Sequence, residues 1–81
     1  MLNLYKLTQK VNNSWDTFDS IIVAAESKEE AQGITPNQGY ELDDYEILSV
    51  WCAKEDVKVE YVGTAATGIK KGVILNSFNA G

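Results

Sequence analysis

The chain has no histidine and no arginine, and only one cysteine (Cys52) and one proline (Pro36) in its 81 residues. Each shortage removes a class of function. Without imidazole, neither a Ser-His-Asp nor a Cys-His nucleophile can be assembled, and a Cys/His zinc cluster is equally out of reach. A single cysteine rules out an internal disulfide, and a lone thiol suits a reducing cytoplasm. The basic residues are seven lysines against twelve acidic side chains, for a net charge of −5. Such a chain repels a phosphate backbone and lacks the bidentate reader of guanine, so no nucleic-acid partner is expected. The longest strongly apolar run, Ile21 to Ala25, is far too short to span a bilayer. The opening Met1-Leu2-Asn3-Leu4-Tyr5-Lys6 has no basic region followed by an apolar run, and so does not read as a secretory signal. The expectation is a cytoplasmic protein without a membrane partner.

What is present fits a single α+β domain over residues 1–81. A chain of this size buries only about 60% of the surface its unfolded form exposes. Disulfides and Cys/His metal sites being excluded, a homo-oligomer in which protomers share core is the expected remedy. Residues 2–10 mix apolar and polar positions in the manner of a strand. Asn12-Asn13-Ser14 signals a turn, because Asn and Ser side chains satisfy bent backbone locally. Asp19 to Glu26 reads as a second strand, antiparallel to the first. Its run Ile21-Ile22-Val23-Ala24-Ala25 is apolar on both faces, which marks a central strand or one covered by a neighbouring subunit.

Ser27 with Glu30 three residues on has the capping-box spacing, and Glu29 and Glu30 complement a helix start. The spacing predicts a helix of about two turns with Ala31 and Ile34 facing the sheet, stopped by Gly33 and Pro36. Residues 35–44 read as a long loop. In 45–53, Ile47, Leu48, Val50 and Trp51 fit a strand or a helical period; a strand is the reading adopted. In 57–62, Val57, Val59 and Tyr61 alternate with Lys58 and Glu60, a half-buried strand that Gly63 ends. A loop over 64–72 leads to a last strand from Val73 to Phe78. The sum is a small, mostly antiparallel sheet of four to five strands with one short helix packed on it.

Candidate chemistry is sparse, and no catalytic set, cofactor or metal site is expected. Asp16 and Asp19 flank Thr17 and Phe18 in a turn, where they either cap the backbone or hold a metal or a ligand hydroxyl. Glu41, Asp43 and Asp44 lack calcium-loop spacing. The stretch Gly63-Thr64-Ala65-Ala66-Thr67-Gly68 followed by Lys70-Lys71 offers unobstructed amides, two hydroxyls and two cations. It lacks the GK[ST] ending and following helix of a Walker loop, so it reads either as an anion cradle or as a surface turn. Trp15, Phe18, Tyr40 and Tyr45 lie in or beside loops, either closing the ends of a small core or stacking on a flat ligand. Ser77 and Asn79 add hydrogen-bonding groups at an apolar C-terminal strand that must dock in its own sheet or on a neighbouring subunit.

Two stretches, WDTFDSIIVAAESKEEA (15–31) and VEYVGTAATGIKKGVILNSFNAG (59–81), resemble a family of short bacteriophage and prophage proteins. In that family an aromatic-Asp-Thr-aromatic-Asp-Ser run precedes a strand and an acidic helix, and the chain ends in Ser-Phe-Asn-Ala-Gly. Here Trp15 and Phe18 fill the aromatic places and Ser77 to Gly81 the terminal ones; residues 35–56 match nothing in it. The family brings no established activity, so the resemblance implies a viral origin, with the host cytoplasm as the place of action. By analogy of class, small viral accessory proteins include oligomeric sponges that trap nucleotide signals of bacterial immunity without cleaving them. On that expectation the chain is a non-catalytic homo-oligomer holding a nucleotide-type ligand. Trp15 or Phe18 would stack on a base, Asp16 or Asn79 would hold ribose or base edges, and Thr64, Thr67, Lys70 and Lys71 would meet phosphate. Thr17 and Ser77 complete the expected ligand-binding set. The alternative expectation is a module that inhibits a host protein through an acidic or aromatic surface.

Overall fold

A computed structural model of the chain describes residues 2–12, 17–36, 48 and 50–79. Four strands form one antiparallel sheet: β1 (Asn3–Thr8), β2 (Thr17–Ala25), β3 (Lys58–Thr64) and β4 (Gly72–Asn79). Their order is β3-β1-β2-β4. The expected hairpin is present as β1 and β2, paired from Asn3 with Ala25 to Thr8 with Ser20. β2 is the longest strand at nine residues and lies inside the sheet. Ile21, Val23 and Ala25 of its apolar run enter the core.

Helix α1 (Lys28–Gln32) starts where the capping signal predicts. The Glu30 amide donates to Ser27 Oγ at 3.1 Å, and the Glu26 amide donates to Glu30 Oε1 at 3.0 Å. The reciprocal bond thus reaches one residue further back than in an ideal capping box. α1 has five residues, shorter than the two turns expected. It buries Ala31 fully, and Ile34 packs beside it on the core.

Alternate residues divide the sheet into two faces. On one, Tyr5, Leu7, Ile21, Val23 and Ala25 join Ala31, Trp51, Cys52 and Val57 in a single buried cluster. Among the described residues, Trp51 is the largest fully buried side chain. The strand reading of 45–53 fails at the residues described there: Leu48 and Val50 have helical backbone. Helical geometry drops Trp51 onto the sheet as a lid, which explains why an ambiguous apolar pattern resolves towards the compact form. A short 3-10 turn, Lys54–Asp56, then leads into β3. Gly63 does not end β3, which continues through Thr64. A register shift between Leu4 and Tyr5 accommodates the extra length.

Two features are non-local. β3 and β4 are consecutive in sequence yet occupy opposite edges, so residues 65–71 cross the end of the sheet. The crossing is pinned by the Ala65 amide on the Leu2 carbonyl at 2.9 Å and by the burial of Ala65. It turns at Gly68, whose φ of +96° disfavours a side chain, and the Ile69 amide closes that turn on the Ala66 carbonyl at 3.2 Å. At the other end of the sheet, buried Gln9 acts as a clasp. Its Nε2 donates to the carbonyls of Asn12 (2.6 Å) and Phe18 (2.8 Å), while its Oε1 accepts from the Asn12 amide at 2.7 Å. Asn12 Nδ2 in turn donates to the carbonyls of Leu48 (3.0 Å) and Trp51 (3.1 Å). The β1–β2 hairpin and the Trp51 lid are thereby tied together.

Candidate binding surface

Among the described residues, no element packs over the second face of the sheet. The strand register lays its residues out in rows. One row runs Glu60, Lys6, Ile22, Leu75 and the next Lys58, Thr8, Ser20, Ser77, each from β3 to β4. The β3–β1 half is therefore charged, with a Lys58–Glu60 ion pair at 3.4 Å. The facing positions Ile22–Leu75 and Ser20–Ser77 of β2 and β4 are uncharged, with Asp19 of β2 beside them. Leu75 there is 65% exposed beside half-buried Ile22, a pair for which the fold itself has no use. Two shallow depressions lie on this face. One, of about 160 Å³, is bounded by Ser20, Ile22, Leu75 and Ser77. The other, of about 390 Å³, is bounded by Lys6, Thr8, Gln9, Lys10, Asp19 and Ser20. They meet at Ser20.

The residues singled out from the sequence fall into two groups. Thr64, at the end of β3, and Thr67, Lys70 and Lys71, on the crossing segment, are all exposed. The Thr64 hydroxyl stands 3.4 Å from that of Tyr61, whose ring makes an edge contact with Tyr5 at 5.9 Å between centroids. Lys71 is engaged with Glu30 at 3.2 Å. The amides of Ala65 and Ile69 are held by the carbonyls of Leu2 and Ala66, so these two are not donors to a ligand. Thr17, Phe18, Ser77 and Asn79 lie at the opposite end: Thr17 pairs with Asn79, whereas Gly72 pairs with Ala24. Seven residues of strand separate the two ends of β2, about 23 Å at the usual rise. No small ligand held by one chain touches both groups. Thr17 is fully buried and Phe18 packs against the core, while Ser77 is exposed. Trp15 and Asp16 lie outside the described residues.

A third hollow, of about 370 Å³, opens between the C-terminal end of α1 and the Trp51 segment, with Gln32, Leu48, Trp51, Cys52 and Lys54 on its walls. Burial, and then the charges of Asp56 and Glu55, push the Cys52 thiol up to about 11. At neutral pH it is protonated, the wrong state for a nucleophile. No group of three metal-ligating side chains and no helix long and apolar enough to cross a membrane occurs among the described residues. Sequence reasoning missed Lys6, Lys10, Thr8 and Ser20. Their alternation with Tyr5, Leu7 and Ile21 was a usable signal, since it marks them as neighbours on a solvent face. Comparison of the chain with known protein families, with known proteins and with solved structures finds no match.

Proposed function

We propose that this domain acts by binding, without chemistry of its own, and that its working surface is the open sheet face. The carrying observation is Leu75, 65% exposed next to Ile22. The partner that fits best is a second copy of the chain. A net charge of −5 opposes self-association where carboxylates meet, and the Ile22–Leu75 patch itself carries no charge. An isologous pairing of this kind also supplies the extra core that so small a domain needs. Sedimentation velocity tests it: the wild-type chain should run as an oligomer and Leu75→Asp as a monomer. A wild-type monomer at high micromolar concentration contradicts the reading.

A second reading is favoured by the exposure of Thr64, Thr67 and Lys70. In it the oligomer sequesters a nucleotide-type signal, an accessory counter-defence role consistent with the resemblance of 15–31 and 59–81 to phage proteins. The roughly 23 Å between the two residue groups then requires that one ligand be gripped by two copies. Lys70→Ala should weaken such binding, and intact ligand should be recovered on denaturing the complex. Recovery of a chemically altered nucleotide contradicts sequestration. A host protein captured by the same open face is the competing outcome, recognised by a stable complex that Leu75→Asp abolishes while the free chain stays monomeric.

A further inference from the structure

We infer that the groove between β1 and β2 on the open face is a binding site for a hydroxylated phosphomonoester of sugar-phosphate type. It lies wholly within one chain and requires neither the assembly nor the nucleotide reading above. The groove holds about 390 Å³, within the roughly 300–1,000 Å³ of small-molecule sites. Two of the seven lysines, Lys6 and Lys10, stand on its walls. Among the described residues the ion pairs are Lys58–Glu60 and Lys71–Glu30, so both groove lysines are unengaged. Thr8 and Ser20 face each other across the strand pair; like the lysines, their side chains make no hydrogen bond within the described protein. Four polar groups thus converge on one space with nothing in the fold to use them.

The groove composition selects the ligand. Two ammonium groups match a phosphate, as point charges with rotatable donors. Asp19, the one carboxylate on the walls, repels a bare dianion but accepts hydrogen bonds from ligand hydroxyls. A molecule with phosphate at one end and hydroxyls at the other satisfies both, with the Thr8 and Ser20 hydroxyls bridging between. The walls carry no aromatic ring, so there is nothing on which a nucleobase would stack. That absence separates this site from a nucleotide site.

The test is a titration of the 81-residue chain with ribose 5-phosphate, followed by ¹H–¹⁵N NMR. Saturable shifts are expected at Lys6, Thr8, Lys10 and Ser20, with ribose alone giving none. Lys6→Ala and Lys10→Ala should each weaken binding about tenfold, the usual worth of one charge-assisted contact. Both positions are exposed, so neither variant removes a core contact, and unchanged dispersion of the spectrum verifies the fold. Asp19→Asn should weaken ribose 5-phosphate but not inorganic phosphate. No saturable shift, shifts confined to residues 64–71, or affinity unchanged in both lysine variants overturns the site. Equal affinity for ribose 5-phosphate and inorganic phosphate overturns the sugar part of the assignment.

Discussion

The two faces of the sheet are built from the same strands and obey opposite rules. On the covered face, Leu7, Ile21, Val23 and Ala25 are sealed by α1 and the Trp51 segment, and each is at most 1% exposed. On the open face, Lys6, Thr8, Ser20, Ile22 and Leu75 sit one residue out of phase with them. In so small a domain one face suffices to make the fold, which leaves the other to carry side chains that folding does not require. Function is best sought there.

Substitutions on the two faces should therefore separate stability from binding. The largest effect is expected for Trp51→Ala, which removes the lid and should cost about 3–5 kcal/mol in chemical denaturation. That is a large share of the stability of a domain this size. Gln9→Ala comes next. It removes the side chain's hydrogen bonds to the Phe18 and Asn12 carbonyls and from the Asn12 amide, at about 1–3 kcal/mol. Ser27→Ala removes the helix cap for about 1 kcal/mol. Leu75→Asp should change the stability of the isolated chain by no more than about 0.5 kcal/mol, as for ordinary surface sites. A large loss there, measured at a concentration where the chain is monomeric, would show that the open face belongs to the fold and would erase the contrast.

The smallest effect concerns acid. The Glu30 carboxyl is held below its usual range by the Glu26 amide and then by Lys71. A depressed folded-state value adds stability above the unfolded value of about 4.3, and that contribution disappears as pH falls through the folded value. Glu30 is exposed to solvent screening, so the acid limb of the stability curve should differ only slightly in Glu30→Gln. A comparison of melting temperature against pH below 5 for the two chains measures it.

How much of this was legible in the sequence depends on the range of each interaction. The Ser27–Glu30 cap and the β1–β2 hairpin are local, and their residues announce them. The placement of β2 inside the sheet follows from Ile21 to Ala25 being apolar at every position. The 65–71 crossing was not legible, because nothing in Gly63 to Lys71 says whether the next strand pairs with β3 or travels to the far edge. Nor was the Gln9–Asn12 clasp, since a polar residue at a strand end normally reads as exposed. In 45–53 the apolar positions 47, 48, 50 and 51 fit two periods equally, and tertiary packing of Trp51 decided between them. Of the candidate contacts, Thr17 is withheld from solvent by burial. Lys70 and Lys71 looked like a matched pair, yet only Lys71 is tied to Glu30. Grouping candidates by strand register would have brought Lys6, Thr8 and Ser20 together at once.

The central claim is that Ile22 and Leu75 face a partner copy rather than water. A soluble paramagnetic agent added to methyl-labelled protein at assembling concentration reads this directly. Methyl signals of Ile22 and Leu75 should resist broadening nearly as well as those of Leu7 and Val23, and should broaden on dilution to the monomer. Leu75 methyls that broaden fully while the assembly remains intact would place the interface elsewhere and contradict the account.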